Sequence, residues 1–325
     1  MYIILIISVL LSPLAYGDST AINVCEALNL SNCEGITKQI RRTSAKSLPS
    51  AGTATQFNPA NVSHDRGFGV ETFYQPTNSP TFSFVTGTGK AGAALVSSKI
   101  ENAFFGNRSI ELDEDFIDRR QGKKQYKSDK YSLALGAALF KRRNFSLDVG
   151  LLAKYNTDIK RINPGAGAAV RIGPISLGAS VYQDDVFLKF GDRVNPFSGA
   201  TYASEFGADS YQEKFKVKNF FAGVVIGNLF LDMGSISTHY KFYEEDVSIK
   251  IYSASYIWKK FLFNVAMRDE TSPSLKYNDG EYTRERDKKE FYTGLQYSLS
   301  QNLIVGLHYN YYLLQEVAGS LVLFF

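Results

Sequence analysis

Over the C-terminal two thirds of the chain apolar residues alternate with small or polar ones at a period of two, most cleanly over residues 302–313. There Leu303, Val305, Leu307, Tyr309, Tyr311 and Leu313 share one face, and Asn302, Ile304, Gly306, His308, Asn310 and Tyr312 share the other. A strand sends successive side chains to opposite sides of its sheet, so the segment predicts a strand with one apolar and one mixed face. The same alternation sets Phe145, Leu147, Val149, Leu151 and Ala153 against Ser146, Asp148, Gly150, Leu152 and Lys154. It recurs with Phe261, Phe263, Val265 and Met267, and with Phe291, Thr293, Leu295, Tyr297 and Leu299. The run 215–226 is ambiguous, and its pattern does not decide which side chains share a face.

Fourteen such strands are predicted, at 67–74, 81–87, 91–98, 130–140, 144–155, 164–172, 175–190, 213–226, 228–238, 246–258, 260–268, 287–299, 302–313 and 317–325. Most are near the ~9–11 residues that a tilted strand needs to cross a bilayer. Residues 67–74 and 81–87 are weakly patterned, and twelve strands is the other count the sequence allows. Tight turns at 88–89, 141–143, 173–174, 227, 259 and 300–301 alternate with longer segments at 75–80, 99–129, 156–163, 191–212, 240–245, 269–286 and 314–316. Short turns on one rim and long loops on the other are the habit of outer-membrane barrels. The predicted fold class is therefore all-β, a transmembrane antiparallel up-and-down β-barrel over residues 67–325 with both termini at the periplasmic rim. Such a sheet must close, because an unpaired backbone edge facing hydrocarbon costs several kcal/mol per group.

Residues 2–15 form an apolar run followed by the small pair Ala15 and Gly17, which predicts a cleaved signal peptide over 1–17 and export in a Gram-negative cell. Beyond it no run of 18 apolar residues occurs, so nothing else would cross a bilayer as a helix. Cys25 and Cys33 are then exposed to an oxidising compartment, where a local disulfide is favoured over a metal site. Two thiols with only His64, His239 and His308 in the whole chain make a poor zinc shell, and no cofactor is expected. A supply of 24 Phe and 20 Tyr suits a sheet with interfacial aromatic girdles. The net charge of +4, with acids and bases mixed along the chain, leaves no footprint for nucleic acid.

If the apolar faces meet lipid, the opposite faces line the lumen, and their charged members are Glu71, Asp148, Lys154, Arg171, Asp184, Asp232, Lys250, Arg268 and Glu290. An ion-selective pore is built from rings of one sign, whereas this mixture suits pairing across a narrow interior. His308 also falls on the lumen face, as a packing residue. No Gly-x-Ser-x-Gly nucleophile motif is present, and His239 with Asp184-Asp185 does not match the order and spacing of surface barrel proteases, so an enzyme is not expected. The loop 99–129 carries an acidic run, 111–115, and then a basic one, 119–124, which reads as a solvated surface loop or as a constriction folded into the pore.

The chain ends on an apolar strand closed by Phe325, which resembles the C-terminal signal read by the outer-membrane insertion machinery. Residues 18–66 precede the first strand and form either a periplasmic linker or a plug within the lumen. The small-residue stretch 50–60 ends in Asn58-Pro59-Ala60. It resembles the segment preceding strand one in the long-chain fatty acid transporter (FadL-like) family. That resemblance implies a hatch inside a fourteen-stranded barrel, with Asn58, Pro59 and Ala60 fixing the hatch to the wall, and passage of hydrophobic molecules through the lumen. The expected function is an outer-membrane channel or transporter for passive uptake of small hydrophobic or amphipathic solutes, seated among outer-membrane lipids. A general diffusion porin, and a sealed structural or surface-interaction barrel displaying its loops, are the other readings.

Overall fold

The computed structural model describes residues 58–64, 66–74, 81–97, 130–142, 144–157, 159–189, 210–239, 247–272, 275–277, 280–282, 286–300, 302–310 and 317–324. The predicted signal peptide, Cys25 and Cys33, the loop 99–129 and Phe325 lie outside the described residues.

The strands are β1 (Arg66–Tyr74), β2 (Thr81–Thr88), β3 (Ala91–Ser97), β4 (Lys130–Arg142), β5 (Phe145–Asn156), β6 (Arg161–Ile172), β7 (Ile175–Lys189), β8 (Ser210–Ile226), β9 (Leu229–His239), β10 (Val247–Trp258), β11 (Phe261–Ser272), β12 (Leu275–Tyr277), β13 (Gly280–Tyr282), β14 (Arg286–Ser300), β15 (Leu303–Asn310) and β16 (Val317–Phe324). Fourteen of them pair antiparallel in chain order, β11 with β14 across the intervening β12 and β13, and β1 closes the barrel on β16 through the register Gly69↔Phe324 to Tyr74↔Gly319. The closed ladder decides the strand count at fourteen rather than twelve. Strands β12 and β13 form a separate small hairpin between β11 and β14, inside a segment expected to be plain loop.

Six connections, between β2 and β3, β4 and β5, β6 and β7, β8 and β9, β10 and β11, and β14 and β15, are two residues long. Two-residue hairpins favour turns with positive φ, because that backbone twist matches the strands it joins. Gly227 meets the demand at φ 59° without strain, while Lys259 meets it at φ 54° with its ammonium 4.9 Å from the Trp258 ring centroid. The start of β1 and the end of β16 lie on the same rim as these turns, since Arg66 pairs with Thr88 and Phe324 with Gly69.

Burial follows the alternation and reveals which face is which. On β5 Leu151 is 64% exposed and the next residue, Leu152, only 4%. A leucine left open on the outside is explained by a wall that meets hydrocarbon rather than water. The outward face carries Leu133, Leu135, Leu147, Ile162, Leu177, Val265, Leu295 and Leu307, all exposed. Near the short-turn rim aromatic rings gather, with Phe261 4.8 Å from Tyr297 and 6.1 Å from Trp258, and Phe140 5.5 Å from Phe145. This is the girdle that the aromatic-rich composition anticipated. The undecided run on β8 resolves with Phe215, Val217, Asn219 and Phe221 inward and Lys214, Lys216, Lys218 and Phe220 outward.

Candidate functional site

Four inward glycines stand in one row across four strands. Gly92 on β3 is the register partner of Gly136 on β4, Gly136 of Gly150 on β5, and Gly150 of Gly167 on β6. On β2 Gly87 extends the row as the partner of Gly92. Without side chains these positions leave a smooth trough in the inner wall, and the 3-10 turn Pro59–His64 lies in it. A Cβ on Gly150 would collide with the backbone at Pro59 and Ala60, and one on Gly136 would stand 2.9 Å from the Pro59 carbonyl oxygen. Glycine is required here by close approach of backbone to backbone, not by its dihedral freedom.

The segment is pinned by its own side chains. Asn58 Nδ2 donates to the Ala168 carbonyl at 3.0 Å, and Asn58 Oδ1 accepts from the Ala60 backbone N–H at 3.0 Å. One asparagine thus caps its own turn and ties it to β6. Ser63 Oγ donates to Asp148 Oδ1 at 2.7 Å and lies 2.9 Å from the Ala60 carbonyl oxygen. That short bond to a carboxylate is of the charge-assisted kind. Asn58, Ala60, Asn61, Val62, Ser63 and Asp148 are all fully buried.

Above the trough, toward the long loops, sits a buried charge cluster. Lys154 Nζ on β5 pairs with Asp184 Oδ2 on β7 at 3.0 Å, each side chain being 1% exposed, and lies 4.3 Å from the Tyr182 ring centroid. Beside it Asp185 accepts from Arg161 Nη1 at 3.2 Å and from the Asn163 amide. These bonds bridge a gap in the wall, because the β6–β7 ladder stops at Gly165↔Tyr182 although both strands run on. The stop falls next to Pro164, which has no N–H to give.

Of the residues expected in the lumen, Glu71, Asp148, Lys154, Arg171, Asp184 and Asp232 are inward and buried. Glu71 accepts from Ser83 Oγ at 3.1 Å across β1 and β2. Arg268 and Glu290 are register partners on β11 and β14, and their side chains lie outside the description. Lys250 is a correction: it is exposed on the outer face, between the buried Ile249 and Ile251. Its polarity reflects its height near the long-loop rim, where the outer wall leaves hydrocarbon, and not a lumenal position. His308 is inward and buried, Nε2 at 2.9 Å from Ser320 Oγ, with its ring fitted against Gly294 and Gly306. The pair braces β15 to β16 and is sealed from solvent, which is the geometry of packing.

The opposite wall carries less charge. Its inward positions hold Phe215, Val217, Ile236, Ile249 and Ile251 among Asn219, Asp232, Thr238, Ser253, Ser255 and Asn264, with Phe230, Ile257, Leu262, Ile304 and Val322 in a packed cluster toward the short turns. The glycine row and this two-faced interior were not predicted; the row emerges only when four hairpin registers are known together. Among the described residues no group of three or more His, Cys, Asp or Glu is placed to hold a metal ion.

No protein-family model and no curated protein matches the chain. Solved structures that resemble it include the toluene transporter TodX of Pseudomonas putida, at 9% identity over 88% of this chain and 95% of that one, with a TM-score of 0.40. OmpT of Vibrio cholerae resembles it at 10% identity over 79% and 94%, with a TM-score of 0.38. A mutant of the Rh. blastica porin does so at 10% identity over 80% and 98%, with a TM-score of 0.38. Likenesses this remote do not fix a family or a function, and the membrane barrel stands on its closed ladder and apolar outer wall.

Proposed function

We propose that this chain is an outer-membrane channel for passive uptake of small hydrophobic or amphipathic solutes, closed by a hatch that its N-terminal segment supplies. The observation that carries this reading is the seat of Pro59–His64 in the glycine trough, held by Asn58 and by Ser63 on Asp148. A stretch of chain preceding strand one, built into the inner wall, is what an anchored plug needs at its attached end. Asn58, Pro59 and Ala60 end the stretch 50–60 that resembles the long-chain fatty acid transporter family, and these three are buried against the inner wall.

The solute class comes from the resemblance of the 50–60 stretch to the long-chain fatty acid transporter family, and the weakly charged, partly apolar inward face of β8–β11, β15 and β16 is compatible with it. A lumen for ions and sugars would be lined by exposed charge. Here Glu71, Asp148, Lys154, Arg171, Asp184 and Asp232 are nearly fully buried, which disfavours the general porin. The same burial favours a second reading, a sealed barrel that displays its loops. On the hatch reading residues 1–17 direct export, Cys25 and Cys33 form a staple on the hatch, Phe325 guides insertion, and the short-turn rim faces the periplasm.

Planar-bilayer conductance separates the readings, measured on the refolded barrel with and without residues 18–64. Silence that turns into discrete steps on truncation is the expected result. Large steps from the intact barrel would overturn the hatch, and silence from both forms would leave the sealed barrel.

A further inference from the structure

Followed from the short turns toward the long loops, the outward face of β8 runs Ile226, Val224, Ala222 and Phe220, and then Lys218, Lys216 and Lys214. The same switch occurs on β10, from Trp258, Tyr256 and Tyr252 to Lys250, and on β14, from Leu299, Leu295 and Phe291 to Lys289. All five lysines are exposed. They begin where the apolar band ends, so their stems can lie along the wall with the ammonium groups at headgroup level. On β4 and β5 the outward positions Tyr131, Leu133 and Leu135, and Leu151 and Tyr155, carry no such charge, so these strands lack the patch that β8, β10 and β14 carry.

Among the side chains described, neighbouring strands offer little to neutralise it. On β7 the register partners of Lys214, Lys216 and Lys218 are Asp185, Gln183 and Val181, and both carboxylate oxygens of Asp185 are held by Arg161 and Asn163. On β9 Lys216 faces His239 and Lys218 faces Ser237. Asp269 on β11 lies between Lys250 and Lys289, one acid shared by two bases. Three lysines on one face repeat at roughly 7 Å, two residues of strand, and like charges so placed repel unless an anion joins them.

We propose that this outward patch binds phosphate groups of lipid headgroups in the leaflet beside the long loops. The chemistry is multivalent: several ammonium groups at fixed spacing suit a headgroup with more than one phosphate. The inference needs the barrel to sit in a membrane and is independent of whether it transports anything.

The test is native mass spectrometry of the full refolded barrel in micelles containing lipid A, compared with lipid A stripped of its phosphates. The intact barrel should retain the phosphorylated lipid at least about tenfold better, each lysine adding its share. The variant K214Q/K216Q/K218Q/K250Q should lose that preference, and the matching arginine variant should keep it. Equal retention of both lipids by the intact barrel, or an unchanged preference in the glutamine variant, overturns the proposal. Should the glutamine variant fail to fold, salt decides on the intact barrel. High salt should weaken retention of the phosphorylated lipid alone, and an equal response of both lipids would sink the idea.

Discussion

On β4–β7 the described inward wall holds the charged Asp148, Lys154, Arg171 and Asp184, while on β8–β11 Asp232 is the one charged inward side chain described, and Phe215, Val217, Ile236, Ile249, Ile251 and Phe230 stand among Asn219, Thr238, Ser253, Ser255 and Asn264. Both halves carry an apolar band toward lipid, and the lysines of β8 and β10 begin only beyond it, so the hydrocarbon does not explain the difference. What differs is the interior task. The polar half carries the backbone of residues 58–64, whose groups must be satisfied by hydrogen bonds once water is excluded. The other half has no such guest among the described residues, and toward the short turns it packs apolar side chain on apolar side chain. Two kinds of core in one barrel should therefore fail in two ways: the polar half abruptly when a partner is removed, the apolar half in proportion to the volume lost.

The largest effect is expected from Lys154→Ala, which leaves Asp184 buried without its base and costs about 3–5 kcal/mol. Urea unfolding of the refolded barrel measures it, and the double replacement of Lys154 by Met and Asp184 by Leu should recover most of the loss. If the double variant is no better than the single one, the cluster is held by packing and the contrast between halves is wrong. Next comes Ile304→Ala in the apolar cluster, at about 3 kcal/mol, with Ile304→Val near 1 kcal/mol. A graded pair sharpens the comparison; an all-or-none response would break it. Gly150→Val thrusts a branched side chain into the backbone of Pro59 and Ala60 and should cost about 2 kcal/mol. Because it evicts the guest segment, it should also open conductance in the otherwise full-length barrel. The smallest effect is expected from Ser63→Ala, about 1.5 kcal/mol, by taking a donor from Asp148, and it should raise the frequency of channel opening without changing step size.

Much of the barrel was legible because lipid and lumen impose opposite demands on successive residues, and β5, β11, β14 and β15 keep to them. The run on β8 was not, because its sense inverts along its length: near the long loops lysines point outward and Phe215 and Val217 point inward. Lys250 was placed in the lumen for the same reason, since alternation separates two faces but does not say where along a strand the hydrocarbon ends. Strands β12 and β13 are three residues each and too short to show a period. Asn58-Pro59-Ala60 was visible as a motif, but its trough was not. Gly92, Gly136, Gly150 and Gly167 are scattered over some seventy-five residues of sequence and become one feature only through the pairing of four strands.

The seam between β1 and β16 has a consequence for the order of assembly. Every other rung of the barrel joins consecutive strands of the wall, with only the small β12–β13 hairpin intervening between β11 and β14, so each pair can form as soon as its two arms exist. The seam joins Gly69 to Phe324 across almost the whole polypeptide and gains nothing until all the intervening strands stand in register. Bringing such distant ends together is the slow, entropically opposed event. Until it happens, the outer strands present two unpaired edges to the bilayer. The barrel should therefore be most vulnerable to proteolysis and misassembly at its last step, and a covalent tie across β1 and β16 should slow unfolding more than the same tie within any hairpin.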